Sequence, residues 1–162
     1  MNRIGQTAFV FLLVIFAAAC GTPPATTCTT PVLLSRGAPV TASAHGGEAK
    51  AITDGTDALW NAGGYPPQWV EIDLGSAAIV HHIDVVPEQK PAGHTEHRVT
   101  GATADGQPRV LGTLAGDTQA GSHYTLNVGD EAGRNVRKVR IDTIETPSSW
   151  VAWHEIEVYG CR

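Results

Sequence analysis

Two histidine pairs, His81-His82 and His94 with His97, and the acidic segment Asp54-Gly55-Thr56-Asp57 hold the side chains best suited to ligate a metal or move a proton. His81-His82 falls inside an alternating apolar pattern, where neighbouring side chains point to opposite faces of a strand and cannot chelate one ion together. His94 and His97 have a closer ligand spacing, but no third soft ligand stands near them, as a zinc site requires. The common catalytic motifs are missing: there is no Gly-x-Ser-x-Gly elbow, no His-Glu-x-x-His, no phosphate-cradling Gly-rich loop and no Cys-x-x-Cys. Among sixteen Asp plus Glu, nothing singles out two as an acid and base pair. Those acids outnumber eleven Lys plus Arg and give a net charge of -5, so no basic field exists to neutralise a phosphate backbone. Nucleic acid is excluded as the expected partner, and binding is favoured over catalysis.

The elements that must carry these residues read as strands. With 18 Gly and 10 Pro in 162 residues, long helices are disfavoured and turns are frequent. Trp69 to Leu74 alternates, with Val70, Ile72 and Leu74 on one face, and Gly75-Ser76 breaks it. Val80 to Val86, His97 to Ala104, Arg109 to Leu114, His123 to Val128, Lys138 to Ile144 and Trp150 to Tyr159 are further candidates, with Pro39 to Ala44 a weaker first strand. Asp105-Gly106 is a hairpin signal, because glycine takes a positive φ at no steric cost. About eight short strands without a helical stripe predict an all-β, antiparallel sandwich or jelly roll in one domain.

The first twenty residues read as an address. Arg3 precedes an apolar run, Thr7 to Phe16, which is too short for a comfortable membrane span and ends in Ala17, Ala18, Ala19 and Cys20. That ending resembles the lipobox of bacterial lipoproteins, so residues 1–19 are expected to be a signal peptide and Cys20 the lipidated first residue. The alternative is an ordinary secretory peptide in which Cys20 is incidental. Residues 20–27 are small and polar and suit a flexible tether, leaving 28–161 as the domain. Of three cysteines, lipidation leaves Cys28 and Cys161, which an exported chain is expected to pair; the alternative is two free thiols.

Four motifs in order resemble the discoidin domain: Ala49 to Gly55, Leu59 to Gly63, Pro67 to Gly75 and His154 to Gly160. That superfamily includes the coagulation factor five and eight type C domains and the family 32 carbohydrate-binding modules. The resemblance runs from Cys28 to Cys161 and implies a galactose-binding-like jelly roll that grips ligands with loops at one end and lacks catalysis. It also implies one structural calcium, held by the carbonyl of Lys50 or Ala51, by Asp54, by a group near Asp57 and by Glu155, the hard oxygen donors that calcium takes. The loop departs from the family pattern: it is one residue short between Asp54 and Trp60, and Ala58 stands where a hydroxyl ligand is common. A turn capped by Asp54 without metal is the alternative.

For a glycan, the resemblance points to loop residues at the shared end. Trp60, Tyr65 and Trp150 would offer an aromatic face to a sugar ring, and Asn61, Gln89, His94 and Glu96 would bond its hydroxyls. Trp60, Trp69 and Trp153 lie within the family motifs or the last strand pattern and also suit the core. The expected function is a lipid-anchored module that recognises carbohydrate in the cell envelope or on an external glycan. The alternative is a structural envelope lipoprotein that docks a protein partner. Contact with the membrane is expected through the lipid alone, because the loop tips carry only Lys90 as a positive charge.

Overall fold

The computed structural model describes residues 27–162; the expected signal peptide, Cys20 and the tether up to residue 26 lie outside them. Among the described residues, nine strands and one 3-10 turn follow in order. They are β1 (Val32–Leu33), β2 (Val40–Ala42), the turn Ala49–Thr53, β3 (Trp60–Asn61), β4 (Gln68–Pro87), β5 (Gly93–Thr103), β6 (Pro108–Thr118), β7 (Tyr124–Asn127), β8 (Val136–Glu145) and β9 (Ala152–Cys161). All pairings are antiparallel.

The long ribbon β4 joins two layers of a jelly-roll sandwich. Its first part, Gln68 to Ala78, lies between β2 and β8, and the layer continues through β5 to β6. From Ile79 it pairs instead with β9 and β7, and β1 and β3 flank β9. The chain turns from one layer to the other where the Gly75 amide donates to Asp73 Oδ1 at 2.8 Å and Gly75 takes φ +81, a conformation that suits glycine. Both ends of β4 therefore reach one pole. Gln68 pairs with Thr143 near the end of β8, and Pro87 pairs with Trp153 near the start of β9.

Period-2 alternation places Val70, Ile72, Ile83, Val85, Val139, Ile141, Ile156 and Val158 in one buried core, each with at most 1 % exposure. Trp60 and Trp153 are buried with them, and the Trp60 indole donates to the Ala44 carbonyl at 2.9 Å. The outer face of β4 and β8 carries cross-strand ion pairs. Arg137 binds Asp73 with two bonds of 3.1 Å, and Lys138 Nζ reaches Glu71 at 2.8 Å. Trp69 is on this outer face, not in the core, with the Arg140 guanidinium 4.1 Å above its ring.

Several pairings shift register, and one shift, between β4 and β9, brings two histidines together. Val80 faces Gly160 and His82 faces Tyr159, so His81 is an extra residue, a bulge. It brings both imidazoles together, with His81 Nδ1 and His82 Nδ1 2.9 Å apart, where regular alternation would have separated them. His82 also stacks on Tyr159 at 4.6 Å.

At the pole opposite the ends of β4, Cys28 and Cys161 are bonded, with Cα atoms 5.5 Å apart across 133 residues of sequence. The Asp105-Gly106 hairpin is present, with Gly106 at φ +83 and its amide donating to the Thr103 carbonyl.

Candidate functional site

Loops gather at the pole where β4 begins and ends. The Ala62 amide donates to the Val151 carbonyl at 2.9 Å, and the Val151 amide to the Gly64 carbonyl at 3.0 Å. These two bonds lay the segment after β3 against the segment before β9. They put Tyr65 and Trp150, each one residue beyond the paired backbone, on adjoining loop tips. Both rings are exposed, Tyr65 at 59 % and Trp150 at 51 %.

Polar side chains tie the base of this surface. Gln68 donates to the Tyr65 carbonyl at 3.1 Å and accepts the Ser43 hydroxyl at 2.6 Å. Asn61 Oδ1 accepts the Gly63 amide at 2.8 Å, closing a local turn. His45 Nδ1 lies 2.8 Å from the Asn61 carbonyl, and its own backbone is held at φ +47. Ser148, beside Trp150, is also left-handed at φ +48. Non-glycine residues pay for that conformation, so surrounding contacts must impose it. A Cβ on Gly93 would lie 2.9 Å from Pro147 Cγ, which packs the start of β5 against the Trp150 loop.

Of the expected ligand residues, Tyr65, Trp150 and Asn61 come together. Trp60 does not join them, because it is fully buried with its indole bonded inside. Gln89 is also removed from the surface: it is 4 % exposed, and its amide donates to the Pro91 carbonyl at 2.9 Å. His94 is exposed on β5, 3.9 Å from Asp117, and Glu96 is half-buried two residues further along that strand. His45 and Gln68 join the site without having been singled out. Nothing in the sequence pattern of Gln68 separates it from an ordinary strand start, whereas His45 before Gly46-Gly47 marks a turn.

The expected calcium residues form a different arrangement. The Lys50 carbonyl accepts the Thr53 hydroxyl at 3.3 Å. Asp54 Oδ1 accepts the Thr56 amide at 2.9 Å and its hydroxyl at 2.7 Å, which holds the Asp54 carboxyl below its ordinary range. Glu155 Oε2 accepts the Gly55 amide at 3.3 Å, and its Oε1 pairs with Arg36 at 3.2 Å. Arg36 also bonds Glu157 at 3.0 Å and lies so close to Gly55 that a Cβ there would collide with its guanidinium. Burial raises the Glu155 carboxyl, while Arg36 and the Gly55 amide oppose that shift. Asp57 lines an open cleft of about 450 Å³ beside these groups. Among the described residues, no three His, Cys, Asp or Glu converge to hold a metal ion. As placed, the set does not fit calcium, because the cation beside Glu155 is Arg36.

The chain matches no family profile and no curated protein. Its fold is similar to solved structures at low identity. A family 32 carbohydrate-binding module of NanJ from Clostridium perfringens, in complex with galactose, has a TM-score of 0.68 at 16% identity, covering 80% of this chain and 99% of that one. A family 32 module produced by the same organism, in complex with GlcNAc-α-1,4-galactose, has a TM-score of 0.65 at 20% identity, covering 82% and 96%. The family 89 glycoside hydrolase of Clostridium perfringens matches at a TM-score of 0.67 and 21% identity, and the match covers 81% of this chain but 15% of that enzyme. These likenesses establish the antiparallel jelly-roll fold.

Proposed function

We propose that this chain is a non-catalytic module that holds galactose, or a galactose-containing glycan, at the loop pole. The observation that carries the reading is two exposed aromatic residues, Tyr65 and Trp150, on loop segments joined by the backbone bond between their neighbours Gly64 and Val151. A pyranose has an apolar face of C-H groups that packs on an aromatic ring, and hydroxyls at its rim that need directional partners. Asn61, Gln68 and His45 supply amide and imidazole groups at the base of the same loops. The galactose and GlcNAc-α-1,4-galactose in complex with modules of the same fold support this ligand class.

Titration calorimetry with galactose tests the reading. Trp150→Ala and Tyr65→Ala are each expected to weaken binding tenfold or more, about 1.4 kcal/mol, with the β-sheet circular dichroism unchanged. Full affinity in both variants, or no binding across a broad saccharide panel, overturns it.

Two further parts belong to the same proposal. Ala17, Ala18 and Ala19 before Cys20 support an exported lipoprotein held at the bacterial envelope by a lipid on Cys20. The Gly55 amide bond to Glu155, with Arg36 paired to Glu155 and Glu157, supports an Asp54 loop held to β9 through Glu155, with a guanidinium beside that carboxylate in place of calcium.

A further inference from the structure

Strict alternation would turn one of the two adjacent histidines of β4 toward the core. Val80 and Ile83 are both buried although they stand three positions apart, so the bulge leaves His81 and His82 together on the outer side. Both are half-buried there. Their Nδ1 atoms lie 2.9 Å apart, with the rings nearly perpendicular at 83°. One nitrogen donates and the other accepts, so a single proton sits between the two imidazoles. His82 is held from its other side as well, lying on the Tyr159 ring within 8° of parallel.

The surroundings favour a cation. Asp84 follows His82 on the same face of β4, and Glu157 faces Asp84 from β9. Glu157 accepts the Tyr159 hydroxyl at 3.1 Å. Burial first, and then Glu157 and Asp84, push the pKa of that hydroxyl up, so the field of both carboxylates reaches the ring on which His82 lies. Arg36 opposes the field and is bonded to Glu155 and Glu157. The place is nearer the disulfide than the loop tips, since His82 pairs with Tyr159, two residues before Cys161.

We propose that His81 and His82 form a bidentate site for a divalent copper ion on the outer face of β4, separate from the loop surface. An imidazole nitrogen binds such a metal at about 2.0 Å, so two of them at a right angle stand roughly 2.9 Å apart, and at a tetrahedral angle roughly 3.3 Å. The observed 2.9 Å is the right-angle spacing, which suits square-planar copper(II) rather than tetrahedral zinc. Copper(II) also stands highest in affinity among the divalent first-row ions at nitrogen sites. The ion takes the place of the shared hydrogen bond. The donating imidazole moves its proton from Nδ1 to Nε2, both Nδ1 lone pairs go to copper, and no proton or electron enters or leaves. Water completes the coordination, because no third His, Cys, Asp or Glu converges on the pair among the described residues.

The test titrates copper(II) chloride, and zinc chloride in parallel, into the full-length chain carrying Cys20→Ala, so that no free thiol competes. Calorimetry, electron paramagnetic resonance and amide NMR are the readouts. One equivalent of copper is expected to bind at least tenfold more tightly than zinc, to show coupling to two nitrogens, and to broaden first the amides of His81, His82, Ile83 and Tyr159. His81→Ala and His82→Ala should each weaken copper binding tenfold or more, and His123→Ala should leave it unchanged. The proposal falls if copper does not bind, if zinc binds as tightly, if either histidine variant keeps the affinity, or if His123→Ala loses as much. It falls also if the broadening centres on other histidines, which is an adventitious ion only. The broadening is read with both histidines in place, so the result stands even if their variants fail to fold.

Discussion

At the scale of the residue, His97 makes stability depend on pH. Burial pushes its pKa from the usual 6.5 down to about 4, so the folded imidazole stays neutral while the unfolded one takes up a proton between those values. Because the unfolded chain then binds more protons, stability is complete above pH 6.5 and is lost as pH falls toward 4, by at most roughly 3 kcal/mol. Urea unfolding at pH 7 and pH 4.5 checks this: the loss should be large in the natural chain and smaller in His97→Phe. The lowered carboxyls of Asp54, Asp73, Glu88 and Asp105 titrate below the usual carboxylate range and are common to both proteins. Equal losses in the two would refute the assignment.

Between elements, close backbone contact decides which glycines are replaceable. Gly160 on β9 pairs with Val80, and a Cβ there would collide with the Ile79 carbonyl oxygen, while Gly46 has open space around it. Gly160→Ala should destabilise by about 1–3 kcal/mol, since β4 and β9 must part, and Gly46→Ala should change stability by under about 0.5 kcal/mol. Denaturant midpoints measure both. The loop that meets β9 through Arg36 and Glu155 gives a second test. Melting temperatures in calcium chloride and in EDTA should agree, and Arg36→Met should lower the melting temperature; a fall in EDTA would return the loop to a metal.

The strands were legible in the sequence because one face of each is buried, which writes period 2 into Val70-Ile72-Leu74 and Val139-Ile141. The two-residue strands β1 and β3 were not, being too short to show a period. The bulge at His81 was hidden as well, since with histidine at both 81 and 82 nothing in the sequence marks one of them as the extra residue. For the site, Tyr65 and Trp150 were visible as aromatics among turn residues. Trp60 and Gln89 resembled them in type, and what buries them is partners far away in sequence or backbone geometry: the Ala44 carbonyl for one, the Pro91 carbonyl for the other.

For the whole molecule, the link between Cys28 and Cys161 closes a loop that the chain-entropy account values at about 5 kcal/mol. It also sets where an anchor would pull. The lipid proposed on Cys20 is tested by feeding expressing cells an alkyne fatty acid: the natural chain should carry the label and Cys20→Ala should not, and a labelled Cys20→Ala would refute it. The eight residues from Cys20 to Cys28 can extend to about 27 Å. A body tethered from that end is hung by the pole away from Tyr65 and Trp150, so its aromatic tips would face outward from the bilayer, toward whatever polymer lies beyond the lipid surface.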